Sequence, residues 1–111
     1  MLALWRAFIY SLHGLRYASA QRAFRLEAWI ALVLIPIAVW LNVSKLERLW
    51  LIGSIFLVAI VELLNSSVEA AVDRISAERH PLSKQAKDLG SAAVLLAVVH
   101  ACIAWGVILW F

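Results

Sequence analysis

Glu62, Asn65, Glu69 and Asp73 recur three or four residues apart along the stretch Glu62-Leu-Leu-Asn-Ser-Ser-Val-Glu-Ala-Ala-Val-Asp-Arg74. Each residue of an α-helix advances by about 100°, so the four side chains fall within roughly 80° of one another. They stand directly behind an uncharged run, Leu49 to Val61. Carboxylates at the edge of a bilayer are costly and mark an ion site, a proton relay or a reacting substrate. Simple solvated anchoring suits Asp73 beside Arg74 better than Glu62, which follows thirteen uncharged residues without a break.

Lys84, Lys87, Asp88 and Ser91 form a second cluster, spaced to share one face of a helix. Lysines there can neutralise phosphate oxygens, while carboxylates hold Mg²⁺ and orient hydroxyls. A snorkelling lysine with a capping serine is the plainer alternative. Both clusters face one compartment across a short loop, Ser76 to Ser83. Acidic positions a helical turn apart suit Mg²⁺, which takes a few carboxylates plus water and substrate phosphates. A deeper carboxylate can accept a proton from a hydroxyl at the lipid boundary. Together these fit phosphoryl transfer from a nucleotide to a lipid alcohol. The four glycines, at 14, 53, 90 and 106, form no Walker-type loop, so a nucleotide site must be of another kind. Gly53, Ser54, Gly90, Ala92 and Ala93 read as positions of close helix packing. His13 and His80 lack metal-ligand spacing, His100 reads as a helix–helix hydrogen-bond partner, and the lone Cys102 excludes an internal disulfide.

The elements that must position these residues are helical and membrane-borne. With 111 residues and 65% hydrophobic content, the chain reads as a single membrane-integral domain, 1–111. Three segments are expected to span a bilayer: 27–43 with Pro36 as a tolerated kink, 46–75, and 83–111. In residues 1–25, Leu4, Phe8, Leu12 and Leu15 oppose Arg6, Tyr10, His13 and Tyr17, the pattern of an amphipathic surface helix. Arg6, His13 and Arg16 interrupt the apolar run, which argues against a signal peptide. Arginines at 6, 16, 22 and 25 precede the first span, and Arg74, Arg79, Lys84 and Lys87 surround the second connection. The N-terminus is therefore expected in the cytoplasm and the C-terminus outside. Trp29, Trp40, Trp50, Trp105 and Trp110 fall near span ends, where they suit the interface. The net charge of +3 is accounted for by topology and does not point to nucleic acid. So short a chain is expected to need partner subunits to bury its polar stripe.

Glu62 to Ile75, followed by Lys84-Gln-Ala-Lys-Asp-Leu-Gly-Ser-Ala-Ala-Val94, closely resembles the small integral-membrane diacylglycerol kinases of bacteria, as do Gly14-Leu15-Arg16 and Ala23-Phe24-Arg25. The resemblance implies an all-α homotrimeric bundle in the inner membrane, each chain with a surface helix and three transmembrane helices. Active sites would be shared between subunits at the cytoplasmic boundary. It implies transfer of the ATP γ-phosphoryl group to diacylglycerol with Mg²⁺, giving phosphatidate. By motif position Glu62 matches the catalytic base and Glu69 a metal ligand. Tyr10, Glu78, His80, Lys87 and Asp88 match nucleotide contacts, Asn65 and Asp73 supporting polar residues, and Ser91 a position near the lipid. The family usually has a glutamate three residues before the Phe-Arg pair; here Gln21 offers the metal an oxygen without charge. The segment between Arg16 and Phe24 is one residue shorter than usual, and Ala3 stands where an arginine is common. Undecaprenol kinases carry nearly the same motifs, a non-catalytic relative would follow from Gln21 alone, and a small proton-coupled transporter is the reading from another class.

Overall fold

The computed structural model describes residues 1–75 and 78–111. It contains four helices in chain order: α1 (Leu2–Ser19), α2 (Arg22–Trp40), α3 (Lys45–Ile75) and α4 (Pro81–Trp110). The last three are long and apolar enough to cross a membrane. At about 1.5 Å per residue, α3 and α4 each reach about 45 Å, against a hydrocarbon core of about 30 Å. Both helices therefore project beyond the lipid. The segments carrying the polar clusters, Glu69 to Ile75 and Pro81 to Asp88, adjoin the α3–α4 connection. Ser76 and Ala77, which open the loop expected between Ser76 and Ser83, lie outside the described residues.

A corner divides the stretch 1–25. Gln21 is extended (φ −90°, ψ 134°) and stands at the N-cap position of α2 without a side-chain cap bond. The Arg25 guanidinium reaches back to donate to the carbonyls of Ser19 (3.4 Å) and Ala20 (3.1 Å). Those bonds satisfy groups that the end of α1 leaves free. At the far end of α2, Leu41 turns extended (ψ 145°). Arg48 donates to the carbonyls of Ala38 (3.1 Å), Leu41 (2.9 Å) and Val43 (3.4 Å). Ser44 and Glu47 then start α3 with a reciprocal cap: each backbone N–H donates to the other's side-chain oxygen, at 3.0 and 3.1 Å. The first connection thus begins inside the span expected at 27–43.

α3 packs on α4 along most of its length and on α2 over a shorter stretch. Leu51 is fully buried, as is Ser54 beside it. The Leu51 carbonyl accepts from Ser54 Oγ at 2.9 Å and from the Trp105 indole of α4 at 3.2 Å. Trp105, expected at the interface, is therefore committed to the α3–α4 seam, where a carbonyl away from water makes a bond it can keep. His100 meets α3 differently from the hydrogen bond expected of it. Its ring lies 5.9 Å from that of Trp50, and Nδ1 is buried without a hydrogen-bond partner among the described residues.

Candidate active site

Because α3 is unbroken from Lys45 to Ile75, the stripe Glu62/Asn65/Glu69/Asp73 forms one face, as its spacing requires. Burial along it is graded. Glu62 and Asn65 are only 8% and 9% exposed, whereas Glu69 and Asp73 are open. The two deep residues are covered by α2 and α4 of the same chain, while the Glu69–Asp73 half of the stripe is left uncovered by it.

α2 contributes a carboxyl group that the sequence reading passed over. Glu27 interacts directly with Glu62, and Glu27 Oε2 is buried without a hydrogen-bond partner among the described residues. In the sequence Glu27 looks like the charged edge of a span. The available signal was that its own neighbours, Ala28 to Leu41, offer it no counter-charge. Glu27 also lines an apolar groove of about 310 Å³ between α2, α3 and α4, with Phe24, Ile55, Ala59, Cys102 and Trp105. The pair formed by the buried Glu62 and the half-buried Glu27 thus opens onto a surface suited to hydrocarbon.

One turn further along α3, Asn65 Nδ2 donates to Glu69 Oε1 at 3.3 Å. Beside it the Ser66 hydroxyl donates to Gln21 Oε1 at 2.6 Å. This bond draws the α1–α2 corner onto α3, so Gln21 lies next to the stripe. Ser66 was another omission: it sits about 40° from Glu62 on the helical wheel, just outside the carboxylate face. Among the described residues no three His, Cys, Asp or Glu side chains gather into a self-sufficient metal site. The donor chemistry nevertheless fits Mg²⁺, which binds through one or two protein oxygens and substrate phosphates. The Glu69 carboxylate and the Gln21 amide oxygen would be the groups to hold it.

A cavity of about 900 Å³ lies at the same end of α3 and α4. Asp73, Glu78, His80, Lys84, Lys87 and Asp88 line it, and its size is ample for a nucleotide. Lys87 Nζ bridges the helices to Asp73 at 2.6 Å, while Lys84 pairs with Asp88 along α4 at 2.6 Å. His80 caps α4: its Nδ1 accepts from the Leu82 N–H at 3.1 Å, leaving Nε2–H as a donor. The structure therefore brings Glu78, His80, Lys87 and Asp88 together. Tyr10, exposed on α1, and Ser91, exposed on α4, are not among the residues lining this cavity.

The arrangement combines a buried Glu62 and a half-buried Glu27 at an apolar groove with a polar, lysine-bearing cavity, as transfer between a lipid and a nucleotide requires. Comparison with known proteins agrees. The family model for Prokaryotic diacylglycerol kinase matches residues 9–109. The chain is 52% identical over 102 residues to the diacylglycerol kinase of Escherichia coli K12, covering 91% of this chain and 84% of that one. It is 50% identical over 103 residues to the diacylglycerol kinase of Haemophilus influenzae, covering 92% and 87%. Identity to the Helicobacter pylori J99 diacylglycerol kinase is 42% over 104 residues, covering 93% and 81%. Such similarity along almost the whole length leaves one conclusion: the chain belongs to the prokaryotic diacylglycerol kinase family.

Proposed function

We propose that this multi-pass membrane protein is an ATP-dependent diacylglycerol kinase, transferring the γ-phosphoryl group to the lipid hydroxyl and giving phosphatidate and ADP. The observation that carries this is the 52% identity to a diacylglycerol kinase over 91% of the chain. The site supplies a course for the reaction. The hydroxyl lies beside the buried Glu62, with the acyl chains along the apolar groove that Glu27 lines. As the lipid oxygen bonds to Pγ, Glu62 takes its proton, and the β,γ-bridging oxygen leaves with ADP. Lys87 exchanges Asp73 for a phosphate oxygen; Glu78, His80 and Asp88 hold the nucleotide. Glu69 and Gln21 would hold Mg²⁺ against the phosphates, where it offsets their charge. Asn65 and Asp73 position Glu69 and Lys87, Ser91 faces the lipid, and Tyr10 reaches the nucleotide from α1. Catalysis on this reading is mainly positioning and charge neutralisation.

The same reading makes the chain a single lipid-kinase domain of the inner membrane. Its N-terminus is cytoplasmic, α1 lies on the membrane surface, and three copies share their sites. Counting about 30 Å of hydrocarbon inward from Arg48 puts Glu69 at the opposite boundary and Glu62 about 9 Å inside it. The metal ligand is then at the depth of the phosphates, and the lipid hydroxyl must be drawn below the polar boundary to meet the base. The test is to supply the purified chain in mixed micelles with ATP and either diacylglycerol or undecaprenol while titrating Mg²⁺. Phosphatidate is expected as the dominant product. Failure to form it at any Mg²⁺ concentration, or faster phosphorylation of undecaprenol, overturns the assignment.

A further inference from the structure

We infer that Gly90 is a positioning residue, whose missing side chain fixes the Asn65 carboxamide so that its NH₂ holds the Glu69 carboxylate. A Cβ built on Gly90 would fall onto Asn65 Oδ1 and within 3.1 Å of Asn65 Cγ. The other three glycines would meet nothing within 4 Å, so this contact is particular to the site. Asn65 Oδ1 is buried and has no hydrogen-bond partner among the described residues. It points along the bond that a Cβ would occupy, where glycine carries only a hydrogen. A Cα–H directed at a carbonyl oxygen is a weak donor. The other end of the amide, Nδ2, donates to Glu69 Oε1 at 3.3 Å.

These two contacts select the same amide orientation. Reversed, the carboxamide would set its oxygen against the Glu69 carboxylate and its N–H groups against the Gly90 Cα–H, two like-polarity contacts in a buried place. Gly90 and Glu69 thus grip Asn65 from opposite sides. The grip ties one Glu69 oxygen to α3 and leaves the other available. A methyl at Gly90 would push the amide aside and release Glu69 to rotate.

This inference rests on reading Glu69 as a metal ligand, but its geometry can be tested separately. In Gly90→Ala the Asn65 side-chain amide signals in ¹⁵N NMR spectra of the nucleotide-free trimer are expected to shift. The Mg²⁺ concentration for half-maximal turnover should rise about 10–100-fold, the usual effect of removing support from a metal ligand. Asn65→Ala should raise it similarly, and the double variant should be no worse than Asn65→Ala alone, since one contact is lost only once. Unchanged Asn65 amide signals in Gly90→Ala overturn the inference, as does a Gly90→Ala effect that adds in full to Asn65→Ala. Should Gly90→Ala fail to fold, recovery of folding in the double variant identifies Asn65 as the obstacle. A double variant that stays unfolded overturns it, because something other than Asn65 then meets the methyl. If instead Glu69→Gln leaves the Mg²⁺ requirement unchanged, the ligand assignment fails while the NMR result still decides the Gly90–Asn65 contact.

Discussion

At the scale of single residues, Glu62 and Gln21 carry the most weight. Glu62 is buried against α2 and α4 and touches Glu27, so an amide there keeps the shape and loses the proposed base. Glu62→Gln is expected to lower kcat by about 10²–10⁴-fold, the usual contribution of a general base. Its sedimentation profile should match the wild type. A variant that kept most of its phosphatidate production would remove Glu62 from that role. Gln21 already holds its amide oxygen beside α3 through Ser66. Gln21→Glu would place a negative charge at that point without moving the backbone. Half-saturation by Mg²⁺ should then fall by about tenfold, read from turnover against free Mg²⁺. No response would mean that the α1–α2 corner does not deliver this side chain to the metal.

At the scale of elements, the two ends of α3 have different duties. Its N-terminal end is locked by Arg48, whose guanidinium serves three carbonyls at the end of α2. Arg48→Met should destabilise the protein by about 2 kcal/mol, since charge-assisted bonds to partly buried carbonyls are lost. Activity measured below the melting transition should be unaffected. The C-terminal end is joined to α4 by the exposed Lys87–Asp73 pair. An exposed pair contributes little to stability, so Lys87→Met should leave thermal unfolding almost unchanged. Its kcat/KM for ATP is nevertheless expected to fall about 10–100-fold, because a charge-assisted phosphate contact disappears. A large loss of stability with intact ATP use would make Lys87 a clamp and not a nucleotide ligand.

At the scale of the whole molecule, the exposed apolar side chains of α2, α3 and α4, among them Trp29, Leu32, Phe56, Leu95 and Leu96, need lipid or further copies to cover them. Sedimentation in detergent is expected to give the mass of three chains, and a monomer retaining full turnover would exclude sharing of sites. Much of this protein was legible in its sequence. Length and hydropathy determine three helices long and apolar enough to span, because a bilayer demands about 20 apolar residues whatever the rest of the fold does. The period of Glu62, Asn65, Glu69 and Asp73 determines one polar face, because helical geometry leaves no other placement. The Ser44–Glu47 cap has the three-residue spacing of a local motif, yet it was recognised only in the structure. What the sequence could not determine is which side chains meet between helices. Glu27 against Glu62, Ser66 against Gln21, Trp105 against the Leu51 carbonyl and Gly90 against Asn65 each depend on how helices rotate and approach one another. That rotation is set by the sum of many small packing contacts and by no single motif, so only the tertiary structure decided which residues complete the stripe.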